Sequence, residues 1–163
     1  VKLLKDYNQS VQVFNEVNKM VDVYNIILKD QPFGVPVRGF YTITSTFGLR
    51  IHPIFKVLDN HQGIDLAHEP GTPIQATAPG TVEKVAYNAG GYGWHLIIRH
   101  NLGYSTLYAH LISQPIVSPG EKVKKNQIIG YMGRTGISTG VHLHYEIRLA
   151  NKPVDPWPYI AIY

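Results

Sequence analysis

After Pro32 the chain breaks into short runs that alternate apolar and polar residues, and glycine or proline closes each run before it reaches helix length. Tyr41-Thr42-Ile43-Thr44-Ser45-Thr46-Phe47 alternates and stops at Gly48. Thr72 to Ala78 and Thr81 to Tyr87 flank the turn dipeptide Pro79-Gly80. His95 to His100 and Tyr104 to His110 flank Asn101-Leu102-Gly103, a hairpin connection. Lys122 to Met132 predicts one or two short strands around Lys125-Asn126, and Val141 to Leu149 predicts another. A period of two is the signature of a strand with one buried face. No second helix of useful length follows the first, which argues against a parallel βαβ architecture. The expected fold is mainly β and antiparallel.

The first 31 residues differ. Leu3, Leu4, Tyr7, Val11, Phe14, Val17, Val21, Tyr24 and Leu28 recur at three- and four-residue steps, with no glycine or proline between them. They predict one N-terminal α-helix, either packed on the domain or a coiled-coil segment, ending near Gln31 because Pro32 disfavours helical geometry before it. Residues 32–39 are rich in proline and glycine and read as a linker. Residues 40–163 form the expected β domain, with the three-proline stretch from Pro153 to Tyr163 wrapping its surface.

Composition narrows the partners. The formal charge is +4, which suits an anionic polymer such as a cell wall but is too weak to argue for nucleic acid. No basic run carries interleaved aromatics, so no nucleic-acid partner is expected. There is no cysteine, which excludes disulfides and cysteine–zinc sites. No 18-residue apolar run is present. The chain opens on Val1 without a signal peptide, so a mature fragment is expected, with any export signal, membrane anchor or further domain outside these residues.

Eight histidines carry the chemistry. In His142-Leu143-His144 the two imidazoles fall on one face of a strand, because alternate side chains share a face. In His61-Gln62-Gly63-Ile64-Asp65 a histidine and a carboxylate lie four apart, on a loop entering a short strand where Gly63 permits the bend. Adding His144 makes two imidazoles and one carboxylate, the donor set of a catalytic zinc site with its fourth position left to water. That water becomes a nucleophile near neutral pH. Strand geometry alone leaves open which of His142 and His144 would bind. His110 closes the strand Tyr104 to His110 and joins the candidates for proton transfer or oxyanion stabilisation.

Several blocks then fall in a familiar order: Phe47-Gly48-Leu49-Arg50-Ile51-His52-Pro53, His61-Gln62-Gly63-Ile64-Asp65-Leu66-Ala67, Gly71-Thr72-Pro73-Ile74, Tyr104 through Leu111 with Tyr108-Ala109-His110, Val123 through Gly130, and Gly133-Arg134-Thr135-Gly136 through His142-Leu143-His144-Tyr145-Glu146. The chain resembles the lysostaphin-type, LytM-like zinc endopeptidases of bacterial peptidoglycan over about residues 40–155. The resemblance implies an antiparallel β domain with a substrate groove walled by loops. It also implies one zinc ion per chain held by His61, Asp65 and His144, with His110 and His142 as catalytic histidines that do not bind the metal. The implied substrate is the peptide part of peptidoglycan, in the cell envelope or outside the cell. His68 after Ala67, and Trp94-His95 where Asn-Tyr is frequent, depart from the common pattern away from these five positions. Among the other histidines, His52 reads as a groove wall or packing residue, His100 as a strand-end residue bonded to backbone, and His68 and His95 as exposed. Arg134 is a candidate for a substrate carboxylate.

Rival readings are weaker. No Gly-x-Ser-x-Gly elbow supports a serine hydrolase. A LytM-like binding module that activates a cell-wall amidase would have lost ligands, and all three are present. A latent enzyme, held by the N-terminal helix or by a segment outside these residues, stays open. The bond cut, a D-alanine–diaminopimelate crosslink or a glycine-containing bridge, also stays open, as does the oligomeric state.

Overall fold

The computed structural model describes residues 2–160. Two compact units divide between Asp30 and Gln31. The first is α1, Lys2–Asp30, which ends one residue before the expected Gln31. Many of its apolar residues, among them Tyr7, Phe14, Val17, Met20 and Tyr24, are exposed. No helix among the described residues is long and apolar enough to cross a membrane.

The second unit is built of strands: β1 Thr42–Ser45, β2 Gly48–Ile51, β3 Leu58–His61, β4 Ile64–Ala67, β5 Pro73–Gln75, β6 Gly80–Asn88, β7 Gly93–Arg99, β8 Tyr104–Leu111, β9 Lys122–Val123, β10 Ile128–Tyr131, β11 Leu143–Leu149 and β12 Lys152–Val154, followed by the short helix α2, Trp157–Ile160. Seven strands pair in the order β1-β4-β11-β8-β7-β6-β9, and β12 joins β11 to complete an eight-stranded sheet. Every pairing is antiparallel. Two small sheets, β10 with β5 and β2 with β3, flank it.

Alternation along β11 divides its side chains cleanly. Leu143, Tyr145 and Ile147 enter the core, fully buried with Leu66, Leu96, Ile98 and Tyr108. The opposite set continues the series that begins at His142. Hydroxyls are satisfied inside the core: Thr77 N–H donates to the Tyr108 hydroxyl at 3.2 Å, and Thr77 Oγ1 lies 2.8 Å from the Tyr145 hydroxyl. A buried hydroxyl without such a partner would cost on the order of 1–3 kcal/mol.

Three segments differ from their sequence expectation. The stretch 32–39 is tied to the β unit: Gly34 N–H donates to the Tyr159 carbonyl, Arg38 N–H to Pro73, and Gln75 N–H to Pro36. Val37 is buried there and bridges Ile74. Composition reported turn-forming residues but not these bonds. The end of the chain does more than wrap the surface, since β12 extends the sheet and Ile160 is buried; residues 161–163 lie outside the described ones. Finally, β2 and β3 form a hairpin in a stretch where alternation predicted no pair, because Leu49, Ile51 and Leu58 point outward and are exposed.

Candidate metal centre and active site

Strand register builds the centre. In the antiparallel pair β4–β11, Asp65 lies directly opposite His144, flanked by the core pairs Leu66–Leu143 and Ile64–Tyr145. Residues directly opposite share a face, so placing the leucines inside puts the carboxylate and the imidazole together outside. His61 closes β3, and Gln62-Gly63 turns the chain into β4. A Cβ at Gly63 would meet the Tyr145 carbonyl oxygen at 2.3 Å, so only glycine fits this turn against β11.

The three side chains meet at one point. Asp65 Oδ1 is 2.9 Å from His144 Nδ1 and 3.2 Å from His61 Nε2, and the two nitrogens are 3.0 Å apart. These separations approach the roughly 3.3 Å edges of a tetrahedron with bonds of about 2.0–2.1 Å. All three residues are buried.

The outward atoms assign the protons. His61 Nδ1–H donates to the Thr46 carbonyl at 2.8 Å. His144 Nε2–H donates to Glu146 Oε1 at 3.0 Å. Each ring therefore turns a lone pair toward the carboxylate, and three acceptors face one another. Only a cation or a proton satisfies that arrangement, and imidazole with carboxylate is the donor chemistry of zinc. The protein groups alone favour a proton. Burial opposes charge on His144, but its hydrogen bonds to Asp65 and Glu146 outweigh burial and raise its pKa to about 9. Burial likewise opposes ionisation of Asp65, and the bonds from His144 and His61 overcome it, holding the carboxyl far below its usual range.

Glu146 was not singled out by the sequence, although it continues the His142, His144 alternation and that period was a usable signal. Its side chain is fully buried. Arg148 Nε–H and Nη2–H donate to Oε2 at 2.8 and 2.7 Å, and the Tyr92 hydroxyl donates to Oε1. Burial disfavours its charge, but the His144, Tyr92 and Arg148 contacts keep its pKa lowered. Tyr92 also stacks on His144, with ring centroids 5.6 Å apart.

His110 and His142 flank this centre, their rings 4.7 Å apart. Simple alternation would turn His110 to the face of Tyr108, into the core. A register shift between Trp94 and Leu96 places an extra residue in β8 there, and His110 takes a φ of 61°. A bulge of this kind re-aims a side chain, and His110 lines the cleft instead. Its Nδ1–H donates to the Thr135 carbonyl at 2.8 Å, leaving Nε2 as the lone-pair nitrogen. Thr135 is fixed in turn: its hydroxyl donates to the Leu111 carbonyl and accepts the Trp94 N–H. Gly93, at φ 62°, packs so closely that a Cβ would lie 2.3 Å from the Thr135 carbonyl oxygen. His142 Nδ1–H donates to the Gly140 carbonyl at 3.0 Å, and its Nε2 lies 3.7 Å from Asp65 Oδ1. Burial lowers both imidazoles, His110 to about 4.

A cleft of about 390 Å³ opens above the centre, lined among others by Arg50, His52, Asn60, Tyr92, His110, Ile137 and His144. His52 is thus a wall residue, its Nδ1 accepting the N–H groups of Ile54 and Phe55. His100 bonds the Pro79 carbonyl, as a strand-end residue should. His68 is exposed, whereas His95 is 4% exposed, because its Nδ1 reaches back to the Gly93 carbonyl. Arg134 is exposed and outside the cleft lining.

The sequence profile of Peptidase family M23 matches residues 59–156. A metalloprotease of Haemophilus influenzae, named as uncharacterised, is 48% identical over 107 residues, 66% of this chain and 22% of its own length. The DD-carboxypeptidase/endopeptidase Mpg of Neisseria meningitidis serogroup B is 43% identical over 125 residues, 76% of this chain and 28% of its own. Among solved structures, a zinc-containing peptidase from Vibrio cholerae matches with TM-score 0.70 and 39% identity, over 77% of this chain and 39% of that one. The catalytic domain of lysostaphin from Staphylococcus simulans matches with TM-score 0.66 and 31% identity, over 73% and 91%. The chain spans between 22% and 28% of the length of those two curated relatives. With the family profile covering most of the β unit, the chain belongs to Peptidase family M23.

Proposed function

We propose that this chain is a zinc-dependent endopeptidase that cuts peptide crosslinks or bridges of bacterial peptidoglycan. The observation that carries the reading is the convergence of three lone-pair donors, His61 Nε2, Asp65 Oδ1 and His144 Nδ1, beside two imidazoles whose Nδ1–H groups are tied to backbone carbonyls. One zinc ion per chain, held by those three residues, would polarise a scissile carbonyl and activate water as its nucleophile.

His110 and His142 supply the proton chemistry. Both are held uncharged at neutral pH by burial, so Nε2 of either can accept the proton that the attacking water gives up. The imidazolium so formed steadies the oxyanion and then returns the proton to the leaving amine as the C–N bond breaks. His61 and His144 have no part in that transfer, since Thr46 and Glu146 hold their remaining N–H groups.

The substrate places the protein in the cell envelope or outside the cell, and relatives named as DD-endopeptidases favour a crosslink over a glycine bridge. Arg134, exposed and outside the cleft lining, would meet a substrate carboxylate only where the peptide runs beyond the cleft. The chemistry belongs to residues 40–163, with residues 1–31 and the segment 32–39 outside it. A chain beginning at Gln31 should bind zinc and cleave.

Purified sacculi digested with the zinc-loaded protein should yield new amino termini in the released muropeptides, read by mass spectrometry. New reducing sugars without new amino termini would overturn the assignment.

A further inference from the structure

The carboxylate of Asp65 has two oxygens, and they face different partners. Oδ1 points at His144 Nδ1 and His61 Nε2. Oδ2 accepts Nη1–H of Arg50 at 3.1 Å. The same Nη1 donates to the Ser45 hydroxyl, which lies 3.5 Å from His61 Nδ1. Arg50, which also lines the cleft, therefore holds the carboxylate oxygen that is turned away from the two imidazole lone pairs.

This placement costs Arg50 an easier bond. It pairs in register with Asp59 across the β2–β3 hairpin, where a two-pronged ion pair would satisfy both side chains. Instead Nε stays 3.8 Å from Asp59 Oδ2, buried and without a hydrogen-bond partner. A buried unpaired donor is rare and calls for an explanation. The contact with Asp65 supplies one, because the guanidinium has turned its Nη1 edge to the carboxylate and away from its hairpin neighbour.

We propose that Arg50 is a positioning residue that commits Asp65 to the metal through Oδ1 alone. A carboxylate can give a metal one oxygen or two. With Oδ2 bonded to Arg50, the protein presents three donor atoms, and the rest of the coordination shell is left to water or a substrate carbonyl on the cleft side. The hairpin then has two tasks, since it carries the ligand His61 as well as the residue that limits Asp65. This inference rests on the metal-centre reading.

The test uses the Co(II)- and Zn(II)-loaded protein and its variants Arg50→Met, Arg50→Lys and Asp59→Asn. Arg50→Met keeps every ligand and should retain about one metal per chain by metal analysis. Its Co(II) d–d absorption should lose intensity as Asp65 supplies a second oxygen, and kcat should fall ~10–100-fold, the usual scale for removing a ligand's outer partner. KM should stay within about twofold, as for an interaction that acts on the chemical step. Arg50→Lys should recover part of both signals, and Asp59→Asn should match the wild type. X-ray absorption of the zinc-loaded wild type adds an arm that no folding defect can spoil: one carboxylate oxygen should lie at about 2.0–2.2 Å. Two Asp65 oxygens at bonding distance in the wild type would overturn the proposal. So would a folded, loaded Arg50→Met with the wild-type spectrum and kcat. A wild type that takes up no zinc would instead overturn the metal centre, and this inference with it.

Discussion

The two halves of the centre are braced by different means. On the β3–β4–β11 side, His144 is held by the buried Glu146 and Asp65 by Arg50, so charged side chains set which atom these two offer, while the third member, His61, donates to the Thr46 carbonyl. On the β8 side and the loop before β11, His110 and His142 are held by the carbonyls of Thr135 and Gly140. A carbonyl fixes the tautomer but adds no net charge. The contrast fits the tasks proposed for the two sides. A ligand that must stay with a cation gains from a nearby carboxylate. A residue that must take a proton and give it back needs a pKa free to sit low, and burial provides that.

The largest break in this contrast is His144→Ala. It leaves His61 and Asp65 alone, so zinc affinity should fall by orders of magnitude and the metal should leave on dialysis. His142→Ala and His110→Ala are the mirror experiment: zinc content should stay near one per chain while turnover drops ~10²–10⁴-fold. Metal analysis and cleavage rates on the three variants decide it. Loss of metal in His142→Ala with retention in His144→Ala would show that the pair is reversed.

A finer break leaves all five side chains in place. Gly93→Ala places a Cβ against the Thr135 carbonyl at a φ that disfavours alanine. The anchor of His110 must shift, and turnover should fall on the order of 10²-fold, the scale of a 1 Å misplacement. Zinc content should not change, since no ligand touches Thr135. If zinc is lost instead, the two halves are not independently braced.

The smallest effect concerns His100, buried just past the end of β7, and serves as a control for pH studies. Its pKa is lowered in the folded protein by burial. The unfolded chain therefore binds the proton more readily, and stability present above about pH 6.5 is lost as the pH falls toward the folded value. The thermal midpoint should decline on acidification, and His100→Asn should flatten part of that slope. An unchanged slope would show that other groups carry it.

The sequence was most informative where one face of a strand is buried. Leu143 and Tyr145 oblige His142 and His144 to share the other face, and Leu66 does the same for Asp65. Glu146 obeys the same period and could have been found by carrying the alternation one step further. His110 could not be placed that way, because periodicity assigns it to the Tyr108 face and only the bulge in β8 reverses it. Arg50 and Tyr92 left no periodic trace. Arg50 meets Asp65 from β2 and Tyr92 meets Glu146 from the turn before β7, and local patterns do not encode such meetings.

The centre joins parts of the chain that lie far apart. Asp65 and His144 are 79 positions apart, and His61 and His144 are 83. In a protein without cysteine, a metal there is the available cross-link between neighbouring strands. It differs from a disulfide in one respect: it disappears when the chain unfolds. If that metal is zinc, as proposed, the rigidity it lends would be set by supply, rising by about 1.4 kcal/mol for each tenfold increase in free zinc above the dissociation constant. Scarcity of the ion would then loosen the β4–β11 seam at the same moment that it silences the enzyme, leaving idle copies the most open to proteolysis.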